Sequence, residues 1–370
     1  MMSDAFRFAD DLGPEKVVHI TEPALGLKAI VVIDNTAAGP AIGGTRMAPD
    51  VSLEECFRLA RAMTLKNAAA GLPHGGAKSV IFGDPMMPKA DKEQLIRAFA
   101  VAIHGLRDYI PGPDMGTDET AMAWVRDEIG RAAGLPRELG GIPLDEIGST
   151  GFGVAVAAEA AQDYCGVKLD GARVVVQGFG AVGRHAAQFL AQKGARLVGA
   201  SDARGAIADP DGLDIAQLSA LKAQGLSVGD YKRGKRFAVD DLIGIACDIW
   251  IPAARPDVIR MDNVDKLDTR LVLQGANIPA TVEAERRMHA RGIVSIPDFI
   301  ANAGGVITAA VELRGGTEKS AFEVIREKIF ANTRATLEAA KTAGVPPREA
   351  ATDLARARIA RAMAVRRWHR

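Results

Sequence analysis

The run GFGAVG at residues 178–183 constrains this chain more than any other stretch. Gly178, Gly180 and Gly183 make G-x-G-x-x-G, a pattern that is weak by itself. Here it follows the continuous apolar run ARVVVQ and opens the helix-like run RHAAQFLAQKG. A second apolar run, ARLVGASD, ends at Asp202, nineteen residues beyond Gly183. Strand, glycine turn, helix, and a strand ending in an acid ~20 residues on describe a dinucleotide-binding βαβ unit. Gly178 allows the tight turn, Gly180 lets backbone N–H groups approach a pyrophosphate, and Gly183 permits close packing of helix on strand. The helix N-terminus favours the phosphate charge. Asp202 would accept hydrogen bonds from the ribose hydroxyls, which favours NAD over NADP. Arg204, two residues later, could neutralise the extra phosphate of NADP, and a solvated strand-end acid is the plainer reading of Asp202.

The rest of the chain fits an α/β protein. Its 370 residues suit two domains, and 48% hydrophobic with 25% charged residues is a globular balance. Lys+Arg equals Asp+Glu at 46 each, so no basic excess points to nucleic acid. Cys56, Cys165 and Cys247 form no C-x-x-C, and no His cluster accompanies them, so neither a disulfide framework nor a metal site is expected. The acidic start MMSDAFRFADD is unlike a signal peptide, and the most apolar late stretch, IGIACDIWIPAA, is too short to span a membrane. A cytoplasmic protein is expected.

KVVHI and KAIVVID read as strands, followed by the Gly/Pro-rich segment AAGPAIGGTRMAPD. Ser52 and Glu55 form an S-x-x-E helix start, and Gly71 and Pro73 stop that helix. A loop with Gly75 and Gly76 leads into the short strand SVIF; the helix DKEQLIRAFAVAIHGL and the loop IPGPDMGTDET follow. A hinge-like region lies at 140–151. Apolar strands after it suit a parallel doubly wound sheet. Two long helices, about 318–343 and 347–367, close the chain.

Lys66 lies in the last turns of an alanine-rich helix, and Lys78 sits between glycines and an apolar strand. Desolvation there would lower a lysine pKa toward general-base duty. From the residues alone, Lys66 is equally a cation on a helix C-terminal dipole, and Lys78 a surface lysine with a buried stem. Asp114, in PGPDMGT, is a functional loop group or a turn-forming acid.

In order, the segments MTLKNAAAGLPHGGAKSVIFGDP, PGPDMGT, GSTGFG, VVVQGFGAVG, LQGAN-P and IPDFIANAGGV resemble the glutamate/leucine/phenylalanine/valine dehydrogenase family from about residue 30 to 315. The resemblance implies a substrate-binding and oligomerisation domain at 1–145, an NAD-binding Rossmann domain at 146–330, and C-terminal helices at 331–370 packing back toward the first domain, with the active site in the cleft. It implies a homo-oligomer. The implied reaction is reversible oxidative deamination of an amino acid to a 2-oxo acid and ammonia.

By the same resemblance Lys78 would activate water, Asp114 would exchange protons with the amino group, and Lys66 would bind the α-carboxylate. Gly178, Gly180, Ala181, Val182, Gly183, Asp202, Thr150, Ala253, Asn277 and Asn302 would bind the cofactor. Two departures stand out: Ala77 where a third glycine is common, and His74 where an apolar residue is common, read here as pocket wall.

Ile42, Gly43, Val306 and Ala309 would line the substrate side chain. In the glutamate enzymes of this family a lysine and a serine hold the γ-carboxylate; Ile42 and Ala309 stand at those positions. An unpaired buried carboxylate costs several kcal/mol, whereas an apolar side chain gains ~25 cal/mol per Å² buried. Leucine, valine, isoleucine or phenylalanine is therefore expected. The alternatives are a glutamate dehydrogenase with other anchors, a non-catalytic NAD-binding protein on the same fold, and a 2-hydroxy-acid dehydrogenase. The last lacks a His with a carboxylate partner. Arg356, Arg358, Arg361, Arg366, Arg367 and Arg370 crowd the end of the chain; domain or subunit contacts account for them better than a membrane or nucleic-acid patch.

Overall fold

The computed structural model describes residues 6–366, which leaves Arg367 and Arg370 outside the described residues. Contacts divide the chain into two units. Unit 1 takes residues up to Pro143, Val306–Ala321 and the stretch from Ala355; unit 2 takes Leu144–Gly305 and Phe322–Leu354. The segment read as one C-terminal body at 331–370 is thus shared between the units.

Unit 1 is built on a five-stranded sheet: β1 (Lys16–Glu22), β2 (Leu27–Asn35), β3 (Ala41–Ala48), β4 (Gly75–Phe82) and β5 (Tyr109–Pro113), in the order β1-β2-β4-β3-β5. β2 is antiparallel to β1 and β4; β3 is parallel to β4 and β5. The apolar run of β2 is explained by burial on both faces. Val31 and Ile33 share a core with Leu95, Ile96 and Phe99 of α2 (Lys89–Ala102) and Met122 and Val125 of α3 (Glu119–Ile129), whereas Ile30 and Val32 share one with Cys56 and Ala60 of α1 (Leu53–Ala69). Ser52 caps α1 as the sequence predicts, its hydroxyl accepting the Glu55 N–H at 3.1 Å.

Two glycine-rich stretches turn out to be strand. Gly75 and Gly76, read as a loop, begin β4, and AIGGTRMA, read only as a Gly/Pro-rich segment, is β3, an inner strand. Close packing explains the glycines. A Cβ on Gly43 would lie 1.7 Å from the Ala77 carbonyl oxygen, and one on Gly76 would lie 2.0 Å from the Thr64 nitrogen.

Unit 2 carries β6 (Arg173–Gln177), β7 (Arg196–Asp202), β8 (Gly205–Ala208), β9 (Lys235–Phe237), β10 (Ile249–Pro252), β11 (Leu271–Leu273) and β12 (Val294–Ile296), ordered β12-β11-β10-β6-β7-β8-β9. The run from β12 to β7 is parallel, as expected for a doubly wound sheet. β8 and β9 extend it antiparallel. Around it lie α4 (Ser149–Cys165), α5 (Ala181–Ala191), α6 (Ile215–Ala223), α7 (Val282–Ala290) and the short α8 (Asp298–Ala301). The unit boundaries fall inside α9 (Gly304–Glu312), α10 (Glu318–Ala343) and α11 (Pro347–Val365).

The later segments are fastened within unit 1 by charge. The buried Glu312 carboxylate accepts N–H bonds from Gly134, Leu135 and Ile142 at 2.8, 3.2 and 2.8 Å. Arg356 pairs with Asp11, Arg366 with Glu15, and Arg358 donates to the carbonyls of Ala68 and Ala69 at the end of α1. These arginines make contacts inside the unit. Among the described residues no helix is long and apolar enough to cross a membrane, and no His/Cys/Asp/Glu group is arranged to hold a metal ion.

Candidate functional site

In unit 1 the sheet brings Lys78 and Asp114 together. Lys78 lies on β4 and Asp114 directly after β5; the strand between them is β3. The two side chains form an ion pair, with Lys78 6% and Asp114 18% exposed. They meet across Gly44, where a Cβ would lie 2.9 Å from Asp114 Oδ2 and 3.1 Å from Lys78 Nζ. The face beneath is fixed by a buried hydroxyl cluster: Ser79 Oγ lies 3.0 Å from Thr45 Oγ1 and 2.8 Å from Tyr109 Oη, and Tyr109 donates to the Gly43 carbonyl. Burial pushes the Tyr109 hydroxyl pKa up. Thr117 donates to the Thr45 carbonyl and accepts the Asp114 N–H, holding the loop against β3.

Burial lowers the Lys78 pKa to about 7; the positive charges of Arg46 and Lys66 push the same way, and Glu55 pulls against them. The Asp114 carboxylate also favours the ammonium by contact. Lys66 sits in the last turn of α1, as the sequence indicated. Ile42 is buried on β3 two residues before Gly44, and Ala309 is buried on α9. Val306 is half-buried on the same helix. His74 lines a cavity with Asn35, Thr64 and Arg358 and faces the Pro40 carbonyl; burial lowers its pKa.

Sequence reasoning missed Arg46 and Glu55. Arg46 pairs with Glu55 and lies 3.4 Å from Asp114 Oδ1. The available signal was a charged residue on a strand between the buried Thr45 and Met47. Reading it required knowing that β3 lies between β4 and β5.

In unit 2 the expected cofactor residues gather at the carboxyl ends of β6, β10 and β11, where doubly wound sheets place ligands. Gly178 has φ +97°, and a Cβ there would lie 2.8 Å from the Ala253 backbone. A Cβ on Gly183 would lie 2.1 Å from the Gly178 carbonyl oxygen. Around Gly180, at the N-terminus of α5, nothing lies within 4 Å of such an atom. Gly275 brings Val182 and Ala253 together. Asn302 donates to Asn277 Oδ1, Gly275 O and Ala276 O at 3.2–3.3 Å, while its own buried Oδ1 has no partner. Thr150 Oγ1 lies against Gly305. An open glycine at a helix N-terminus, in the same unit as a buried amide oxygen still to be matched, fits a nicotinamide dinucleotide.

Asp202 is found differently from the expectation. Oδ1 accepts Arg204 N–H and Ser227 Oγ–H at 2.9 and 2.8 Å; Oδ2 accepts Lys222 Nζ and Val228 N–H at 2.7 and 3.0 Å. Burial opposes its charge, but these bonds outweigh it and hold the pKa at about 2. A carboxylate has about four acceptor positions, so ribose hydroxyls would have to displace a partner. Arg204 donates its guanidinium to the Gly225 carbonyl at 2.6 Å.

Comparison with known proteins gives matches over most of the chain. The description "Glutamate/Leucine/Phenylalanine/Valine dehydrogenase" matches residues 140–367, and the dimerisation domain of the same enzymes matches residues 14–131. An NADP-specific glutamate dehydrogenase of Saccharolobus shibatae is 41% identical over 75% of this chain and 69% of its own. The hetero-hexameric glutamate dehydrogenase of Thermus thermophilus, solved with leucine bound, superposes with a TM-score of 0.85 at 29% identity, covering 96% of this chain and 91% of that one. L-tryptophan dehydrogenase of Nostoc punctiforme gives 0.74 at 26%, covering 95% and 97%.

Proposed function

The chain belongs to the glutamate/leucine/phenylalanine/valine dehydrogenase family, and from that premise we propose that it reversibly deaminates an L-amino acid to a 2-oxo acid and ammonia, with Lys78 and Asp114 as its proton-transfer pair. The observation that carries this reading is the buried Lys78–Asp114 contact. Lys66 holds the substrate α-carboxylate. Once hydride has left Cα, Lys78, neutral above about pH 7, takes a proton from the water that adds to Cα of the resulting iminium, and Asp114 exchanges a proton with the amino group as ammonia leaves. A bound nicotinamide supplies the hydride acceptor. The glycine turn at Gly178–Gly183, with Ala181 and Val182 opening α5, holds its pyrophosphate, and Thr150, Ala253, Asn277 and Asn302 hold its nicotinamide end. Both NAD and NADP remain candidates: a relative is NADP-specific, and Asp202 is already engaged by Lys222 and Ser227.

For the side chain, the comparisons favour glutamate, since relatives from S. shibatae and T. thermophilus are glutamate dehydrogenases. The residues favour an apolar substrate, because Ile42 and Ala309 are buried and offer no partner for a γ-carboxylate. The tryptophan enzyme of N. punctiforme shares the fold. The deciding experiment is initial-rate reduction of NAD and NADP with leucine, valine, isoleucine, phenylalanine, tryptophan and glutamate. Fastest turnover on an apolar amino acid supports the residue-based reading; fastest turnover on glutamate supports the other. Cofactor binding without turnover on any of them would turn the reading toward a non-catalytic protein. The match to a dimerisation domain supports assembly into an oligomer through residues 14–131, which light scattering tests.

A further inference from the structure

Arg46 stands where it can act on both members of the proton-transfer pair. Its guanidinium is flanked by two carboxylates, Glu55 on α1 and Asp114 after β5, and its side chain is 17% exposed. The Asp114 oxygens are divided between neighbours. Oδ2 meets Lys78 Nζ, while Oδ1 lies 3.4 Å from Arg46 Nη2 and accepts the Met115 N–H at 2.5 Å. With each oxygen engaged, the carboxylate cannot rotate without losing a charged contact.

We propose that Arg46, steered by Glu55, is a positioning residue that turns Asp114 toward Lys78 and sets the pH at which Lys78 gives up its proton. This rests on the proposed use of Lys78 and Asp114 in catalysis. The groups facing Lys78 are Arg46 from β3, Glu55, Cys56 and Lys66 from α1, and Asp114 beyond β5. Of these, Arg46 is a permanent cation that also touches the carboxylate paired with Lys78. Its removal takes a like charge away from the ammonium and ends the sharing of the Asp114 charge with a second cation. Both effects favour the protonated lysine, so the titration moves to higher pH.

The test reads Lys78 without using turnover. Trace acetylation by acetic anhydride, quantified on the Lys78 peptide by mass spectrometry across pH, gives the midpoint of its titration. In Arg46→Gln this midpoint should rise by about one pH unit, and the acid limb of kcat/KM should rise with it. Arg46→Lys should hold the midpoint near the wild-type value yet lose several-fold in kcat, because one ammonium cannot span two carboxylates as the fork does. An unshifted midpoint in folded Arg46→Gln overturns the proposal. Should that variant fail to fold, Arg46→Lys carries the test, since it keeps the charge and removes the fork; a wild-type kcat there overturns the proposal. If the midpoint moves while Lys78→Ala keeps its turnover, the coupling through Arg46 stands and the assigned catalytic role of Lys78 is what fails.

Discussion

Lys78 and Asp114 touch although their strands are not neighbours: β3 separates β4 from β5, and the pair closes over Gly44. Two long-range features make this contact possible. One is the strand order, which brings residues far apart in the chain to one end of the sheet. The other is the missing side chain on β3. Gly44→Ala should therefore act on the pair first, since the new methyl would sit 2.9 Å from Asp114 and 3.1 Å from Lys78 Nζ. The expected result is a fall in kcat of about tenfold or more, with the fold kept. Steady-state kinetics beside thermal unfolding checks it; wild-type kcat in a folded variant would show that the pair tolerates displacement.

Lys78→Ala should abolish turnover and leave cofactor binding nearly intact. In the wild type, kcat/KM for the oxidative direction should climb with pH through about 7, because burial stabilises the neutral amine that accepts the proton. A pH profile measured beside cofactor titration of the variant tests both statements. Substantial kcat in Lys78→Ala contradicts the mechanism.

Lys222 and Asp202 form a second pair with a chemical consequence, 2.7 Å apart. Lys222→Ala frees one acceptor position on Asp202 Oδ2 and removes a cation, so binding should shift toward NAD over NADP several-fold. Calorimetric binding of 5′-ADP and 2′,5′-ADP measures this without catalysis; an unchanged ratio places cofactor selection elsewhere. The depressed Asp202 pKa also carries a stability sign. Its contribution is complete above the ordinary aspartate value of 3.8 and is lost as pH falls toward about 2, so Asp202→Asn should flatten the acid limb of a stability curve.

Substrate choice is tested by restoring the polar anchors. Ile42→Lys combined with Ala309→Ser should raise kcat/KM on glutamate relative to leucine by about tenfold or more if the apolar reading holds. The cost is a charge at a position now only 4% exposed, so unfolding should be followed in parallel. A wild-type enzyme already faster on glutamate makes the reading of Ile42 and Ala309 wrong.

Local signals carried much of this architecture. Gly178 has the left-handed φ, Gly180 the open space and Gly183 the close contact that their spacing implies, and the Gly183 contact, with the Gly178 carbonyl, is itself local. The S-x-x-E start of α1 is equally local. What escaped depends on partners distant in sequence. Gly75 and Gly76 looked like a loop because the Asn35 carbonyl and Thr64 backbone that crowd them are brought there by the fold. Arg46 and Glu55 escaped for the same reason. Asp202 was read as an open acceptor because nothing within a few residues shows that Lys222 and Ser227 return to cap it.

The division of unit 1 into three stretches has a consequence for synthesis. When the ribosome has delivered the residues up to Pro143, the Lys78 sheet exists as sequence, but the carboxylate that will take the amides of Gly134, Leu135 and Ile142 lies about 170 residues away. The arginine that pairs with Asp11 lies 345 residues beyond it. The intervening chain belongs largely to unit 2, whose strands and glycine turn can complete their sheet earlier. The part of the protein that begins first is thus finished last, and until then it is a nascent domain for which holding by a chaperone matters most.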